Sequence, residues 1–198
     1  MTTYAAPRRL VLADALPGAR ARDALLVLGG ALFMALMAQI AIEVPPSPVP
    51  ITGQTLGVVL IGSALGANRG VSAVALYVLM GLFMPVYSDG GMGIHHLLGA
   101  TGGYLVGFVV AAYVVGRLAE LGADRRPLIA FASFCLGQLI VFGIGVPWLK
   151  LWAGSTMDWS AAFHNGFTIF IIGGLVKAAI AALALPSAWR LARRLEDR

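Results

Sequence analysis

Residues 24–42 read ALLVLGGALFMALMAQIAI, and the chain then turns at once into EVPPSPVP at 43–50. A helix rises about 1.5 Å per residue, so crossing a hydrocarbon core of roughly 30 Å takes about 20 apolar residues. The first stretch has that length and carries no charge. Prolines at 45, 46, 48 and 50 remove backbone donors and hold the chain extended, so 43–54 is expected as a loop. A membrane-crossing helix closed by a stiff loop is the first unit of the fold.

The pattern repeats along the chain. Residues 55–68 are apolar but short, spanning only about 21 Å as a helix. Either that helix begins inside the preceding loop, or the loop dips into the membrane, which lipid tolerates only where protein or a cavity surrounds it. A third span is expected over 71–86, ended by Pro85. SDGGMGIHHLLGATGG (88–103) is too polar and glycine-rich for lipid contact and is placed at the membrane surface. Spans four and five are expected over 102–119 and 128–146, with a charged turn from Glu120 to Arg126 between them. Residues 147–165 hold three of the four tryptophans and fit an interfacial segment, and 166–186 form the sixth span.

Composition leads to the same class. The 198 residues are 59% hydrophobic and 12% charged, against roughly 45–50% and about 25% in ordinary globular domains. A soluble domain so poor in charge would expose large apolar patches. The expectation is an all-α polytopic membrane protein, a six-helix bundle over 24–187 with basic tails at 1–23 and 188–198. Residues 1–24 are not expected to be a secretory signal peptide, because Arg8, Arg9, Arg20 and Arg22 flank no apolar core before Leu25. Cys135, the lone cysteine, sits in an apolar run and is read as a packed hydrophobe.

Charge placement gives orientation. Arginines occupy the N-terminal tail (8, 9, 20, 22), the second-to-third turn (69), the fourth-to-fifth turn (117, 125, 126) and the C-terminal tail (190, 193, 194, 198). Six crossings put all of these on one face, and Lys150 is the one basic residue in a loop of the other. By the positive-inside rule the arginine face, and both termini, are cytoplasmic. The basic balance is thus accounted for by orientation and anionic membrane lipid, not by nucleic acid.

Lys177 is the strongest single signal for chemistry, because it lies in the apolar run IIGGLVKAAIAAL. A lysine at a helix centre costs roughly 2.5–3.5 kcal/mol on insertion scales, so it faces a cavity or partner unless its stem snorkels to an interface. No acidic residue lies in any expected span, which leaves a loop carboxylate, backbone carbonyls or an anionic ligand as its partner. Gly99, Gly103 and Gly107, like Gly62, Gly66 and Gly70, recur at the spacing that permits close helix packing. Near the first set, Gly102 breaks the regularity, and Thr101 and Tyr104 put hydroxyls at a helix start whose free amides attract an anion or carbonyl. In Pro50-Ile51-Thr52-Gly53-Gln54-Thr55, Thr52 or Thr55 could simply cap a helix, or Thr52 and Gln54 could face inward and offer a ligand both donor and acceptor. Asp89, between Ser88 and two glycines, reads as a turn residue or a ligand contact. His95, His96 and His164 lack a carboxylate-rich set around them, so no metal and no cofactor are expected. There is no phosphate loop, no H-E-x-x-H and no G-x-S-x-G, and no expected span holds a histidine or carboxylate to serve as base, so an enzyme is not expected.

VPITGQTLGVVLIGSALGANRG (49–70) and MGLFMPVYSDGGMGIHHLLGATGGYLVGF (80–108) resemble the BioY family, the biotin-binding subunits of energy-coupling-factor vitamin transporters. The likeness runs from about Ala31 to Leu185, and P-V-P-I-T-x-Q-T-L-G and G-x-T-G-G-Y-L-x-G-F are its most specific parts. It implies six helices around a vitamin cavity near the extracellular face, and uptake of biotin across the bacterial cytoplasmic membrane. It places Thr52, Gln54, Tyr87, Asp89, Thr101, Gly102, Gly103, Tyr104 and Lys177 near the ligand. The family's last helix commonly opens P-G-D-x-x-K, whereas here Ile172-Gly173-Gly174-Leu175-Val176-Lys177 puts Gly174 where an Asp is usual. The acid–lysine pair is therefore missing, and Asp89 or Asp158 is a possible substitute. Implied partners are a transmembrane coupling protein and a pair of ABC-type ATPases, docked through the small-residue face Ala31, Ala35 and Ala38. Another small vitamin as ligand, a transporter working alone, a homo-oligomer, and a purely structural role are the competing expectations.

Overall fold

The structure is a computed structural model, and it describes residues 11–15 and 20–196. Arg8, Arg9 and Arg198 of the expected tails lie outside the described residues. The first helix, α1 (Arg20–Gln39), starts four residues before the apolar run and stops before the prolines. A short antiparallel pair follows, β1 (Ala41–Ile42) against β2 (Ile51–Thr52), with Ala41 opposite Thr52. This hairpin is a departure from the all-α expectation. It arises because the proline-rich turn cannot be helical, and pairing is the remaining way to satisfy the backbone groups flanking it.

The short second span is not lengthened by an earlier start: its helix, α2 (Gln54–Leu65), has 12 residues and opens only at the last residue of the preceding loop. It ends at Gly66, whose φ of +82° is a conformation that side chains disfavour. α3 (Ala67–Met80) follows with no intervening turn, so Arg69 sits in its first turn and not in a loop. α3 also stops before the expected 71–86 limit, at Met80, and a loop carrying α4 (Ile94–Leu97) leads to α5 (Gly102–Glu120), as expected from residue 102.

α6 (Pro127–Ala153) continues through Pro147, where the sequence suggests an end at 146. Proline forfeits one helical bond, but breaking the helix in apolar surroundings would leave several backbone groups without partners. The 147–165 segment expected as interfacial is divided: 147–153, with Trp148 and Trp152, complete α6, and α7 (Trp159–Gly166) takes the rest, after which α8 runs Ile171–Glu196, through Pro186. Lys177 therefore stands in the second turn of α8 and not half-way along it. Among the described residues, four stretches are long and apolar enough to cross a membrane: Arg20–Gln39, Gly102–Glu120, Pro127–Thr156 and Trp159–Ala192. Gln54–Leu65 and Ala67–Met80 are shorter apolar helices.

α5 is the central helix, with 61% of its apolar window buried against 22% for α1. Gly62 and Gly107, one from each glycine series, and Gly116, which belongs to neither, explain how its neighbours come so close. A Cβ on Gly116 would lie 2.5 Å from the Ala67 amide nitrogen, one on Gly62 2.9 Å from the Ala112 carbonyl, and one on Gly107 2.9 Å from the Val141 backbone. α2, α3 and α6 thus pack backbone to backbone on α5, the structural alternative for those spacings.

One end of the bundle collects the arginines of the described residues. A single turn of 3-10 helix at Leu12–Ala15 folds back there, burying Val11 and Ala13 in the main core. Asp14 pairs with Arg69 at 2.6 Å, and Asp23 lies 3.6 Å from the same guanidinium. Glu120 accepts from the Ala67 amide at 2.9 Å, tying α5 to the start of α3. Trp189 of α8 donates its indole N–H to the buried Asp124, while Arg125 lies 4.6 Å above the Trp189 ring. The proline loop, α4 and α7 lie at the opposite end, held together in part by Ser47, whose hydroxyl donates to the Asn165 carbonyl at 2.8 Å.

Ala31 and Ala38 are fully buried in the main core and Ala35 is half-buried. In this chain by itself Ala31 and Ala38 face the bundle interior. The small residues let α1 approach its own neighbours, and Gly30 is already within 2.8 Å of Ala73 if given a Cβ. The exposed stripe of α1 is Leu25, Leu28, Leu32 and Leu36 instead.

Candidate functional site

At the end away from the arginines, a chamber of about 40 Å³ lies between α2, α5, α6 and α8. Thr52, Gln54 and Thr55 line it from the strand-to-helix junction, Tyr104, Leu105 and Phe108 from α5, and Gln138 and Phe142 from α6. Phe170 and Lys177 close the α8 side. Above it opens a wider cleft of about 680 Å³ under the proline loop, bounded by Glu43, Asp89, His95 and Trp152 among others. Pro50, Ser88, His96 and Thr101 border both spaces and form the neck between them.

Lys177 is the one charged side chain lining the chamber. Its ammonium donates to the Thr52 carbonyl and, at 3.1 Å, to the Thr55 hydroxyl. The partner left open by the sequence is thus a backbone carbonyl. Thr52 sits in the last residue of β2, and the hairpin exposes its carbonyl to α8. Two oxygen contacts leave one of the three ammonium protons for a ligand.

Gln54 is buried, and both ends of its amide are engaged. Its Oε1 accepts from the Thr52 hydroxyl at 2.9 Å and its Nε2 donates to the Tyr77 hydroxyl at 2.7 Å. Gln54 holds Thr52 in place for Lys177 at least as much as it faces a ligand. Behind it, Tyr77 packs edge-on to Tyr87 at 5.7 Å, and Tyr87 stacks on His96 at 4.7 Å. Tyr87 donates to the Val78 carbonyl at 2.7 Å and is itself buried, so it supports His96 from outside the chamber wall. Gly81 makes this possible, since a Cβ there would fall 2.1 Å from the Tyr87 ring. Burial pulls the His96 imidazole below its ordinary range, opposed by the nearby Asp89 carboxylate. A neutral ring suits the stack.

The second motif divides between lining and support. The Tyr104 ring lines the chamber while its hydroxyl donates to the Gly166 carbonyl at 2.9 Å, joining α5 to α7. Thr101 borders the neck and donates to the His96 carbonyl at 3.3 Å. Gly102 and Gly103 do not line the chamber. They leave room for the Leu97 carbonyl and for Trp148, whose indole donates to the Gly99 carbonyl at 2.8 Å. Asp89 lies in a turn at φ +55° and also lines the wall of the outer cleft.

Sequence reasoning missed His96, Ser88, Gln138, Phe142 and Phe170 as lining residues. Gln138 carried a visible signal, an amide inside the apolar run FCLGQLIVF. His96 carried none beyond adjacency to His95, because only the loop path decides which histidine turns inward.

A helical membrane bundle with a small aromatic chamber, one lysine and a loop-covered neck is the architecture of a solute-capturing transport protein. The chain belongs to the BioY family, whose sequence profile matches residues 8–194. It is 35% identical over 158 residues to a Lactococcus lactis protein named biotin transporter BioY2, covering 78% of this chain and 82% of that one. It is 38% identical over 145 residues to the biotin transporter BioY of Thermotoga maritima, covering 72% and 82%. It is 35% identical over 157 residues to the probable biotin transporter BioY of Pyrococcus horikoshii, covering 77% and 89%. The fold is similar to the crystal structure of the S-component for biotin from an ECF-type ABC transporter. That likeness has a TM-score of 0.76 at 22% identity and covers 90% of this chain and 93% of the other.

Proposed function

We propose that this chain captures biotin at the outer face of the bacterial cytoplasmic membrane and delivers it inward as the substrate-binding subunit of an ECF-type transporter. The observation that carries the reading is Lys177, a cation held by Thr52 and Thr55 in an otherwise aromatic and amide-lined chamber. Biotin offers an anionic valerate tail, an apolar thioether ring and a ureido group that both donates and accepts. Few polar groups set in an apolar wall suit such a molecule. The relatives' names point the same way.

The arginine-rich end would be cytoplasmic and the chamber end external, with six crossings, α2 and α3 being the short ones. A chamber of about 40 Å³ is far below the roughly 300 Å³ or more of ordinary ligand sites. Loading therefore requires the proline loop and the 81–101 segment to move outward and join the chamber to the cleft above it. Energy for uptake would come from a coupling protein and an ATPase pair, and a lone or homo-oligomeric carrier is the rival arrangement. Since the alanines of α1 are buried, the leucine stripe of that helix is the surface offered to a coupling protein or to lipid.

The test is equilibrium binding of labelled biotin to purified protein, with dethiobiotin and other vitamins as competitors. Saturable one-to-one binding that biotin competes best supports the reading, and absence of binding in folded protein refutes it. Uptake by cells lacking every coupling subunit separates the lone carrier from the complex.

A further inference from the structure

The amide of Gln138 lies near the middle of α6, inside an apolar run, and lines the chamber. Its long polar neighbours there are engaged: Gln54 with Thr52 and Tyr77, Lys177 with Thr52 and Thr55, Tyr104 with Gly166, while the His96 ring stacks on Tyr87. Gln138 makes no side-chain hydrogen bond among the described residues. The Gln138 side chain is half-buried, and a polar group left open to a cavity inside a membrane helix marks function.

The backbone of α8 is shaped to hold it. A Cβ on Gly174 would lie 2.3 Å from Gln138 Nε2, 3.2 Å from Cδ and 3.4 Å from Oε1. The amide thus rests in the space that any side chain at 174 would fill, one helical turn from Lys177 on the same helix. An amide presents donors and an acceptor side by side in one plane. That arrangement matches the edge of a cyclic urea or lactam, where an N–H and a C=O are adjacent.

We infer that Gln138, seated on Gly174, is a specificity-determining residue that reads the neutral N–H/C=O edge of the ligand's ring, while Lys177 reads its negative charge. For biotin that edge is the ureido group, so the ligand's identity rests on the function proposed above. Gly174 and Gln138 act as one unit: the glycine exists to seat the amide.

Gln138→Leu and Gly174→Ala, with Gly174→Ala/Gln138→Asn as a relieving pair, test this by biotin binding and by thermal melting without ligand. Gln138→Leu is expected to weaken biotin at least tenfold, to weaken biotin amide by the same factor, and to melt no lower than the parent protein. Gly174→Ala is expected to weaken binding and lower the melting point, and the shorter asparagine to recover melting. Unchanged affinity in Gln138→Leu, or a loss confined to ligands with a free carboxylate, overturns the inference. So does a lower melting point in ligand-free Gln138→Leu, which would make the amide structural. If the parent protein binds no biotin, the biotin reading falls by itself, and the melting comparisons still decide whether the amide of Gln138 is held in reserve on Gly174.

Discussion

Replacing Lys177 by methionine removes the one charge of the chamber while keeping the length of the side chain. The structure gives opposite signs for binding and stability. A hydrogen bond to a charged group contributes about 1.5–3 kcal/mol, so losing the contact to a carboxylate should weaken biotin roughly tenfold to 150-fold. Stability should change little or rise. Placing the lysine in apolar surroundings costs at most roughly 2.5–3.5 kcal/mol, the figure for a helix centre, offset in part by its bonds to the Thr52 carbonyl and Thr55 hydroxyl. The Thr52 carbonyl loses a partner in the variant, which sets the upper limit on any gain. The assay is labelled-biotin titration beside thermal melting of the same preparation, repeated with biotin amide. Neutralising the ligand should remove most of the difference between parent and variant. Equal affinity of the two proteins for biotin, or an equal loss with biotin amide, would refute the assignment of Lys177 to the negative charge.

Gln54→Leu leaves the buried Tyr77 hydroxyl without its bond and frees Thr52. It should cost about 1–3 kcal/mol of stability and weaken biotin as well, read by melting and titration together. Gly116→Val would push a side chain into the Ala67 backbone, now 2.5 Å from a mere Cβ. The variant should fail to reach the membrane in folded form, measured as the monodisperse yield after extraction. Asp124 gives a pH dependence. Burial raises its carboxyl above the ordinary range, against the opposing bond from Trp189 and the charge of Arg125. A group whose folded pKa is raised stabilises fully below its unfolded value, and that contribution fades as pH rises through the folded one. Asp124→Asn keeps an oxygen for Trp189 and should therefore raise the melting temperature more at pH 8 than at pH 5. A gain that is equal at both pH values would show that the carboxylate does not titrate in this window.

Much of the site was legible because its motifs are local. Thr52, Gln54, Thr101 and Tyr104 come from two short segments, and all four border the chamber or its neck. Lys177 stood out because a charge in an apolar helix has a large cost wherever it lies. Tyr87, Gly102 and Gly103 come from the same segments yet face away from the chamber, since a motif fixes which residues are near a site and not which way each points. The buried alanines of α1 show the same gap: spacing marks a face fit for close approach, and only the assembled bundle decides which helix approaches it.

The amino-acid order by itself determined the membrane class, the apolar segments, the loop at the prolines and the collection of arginines at one end. Each of these follows from the solvation of residues close together in the chain. Tertiary structure alone decided that α2 and α3 join at Gly66 without a loop, that Asp14 reaches Arg69, and that His96 rather than His95 borders the chamber. It also decided that the amide of Gln138 rests on Gly174, 36 residues away in the chain. Such contacts depend on how close two helices can come, and that distance is set by every glycine and side chain between them.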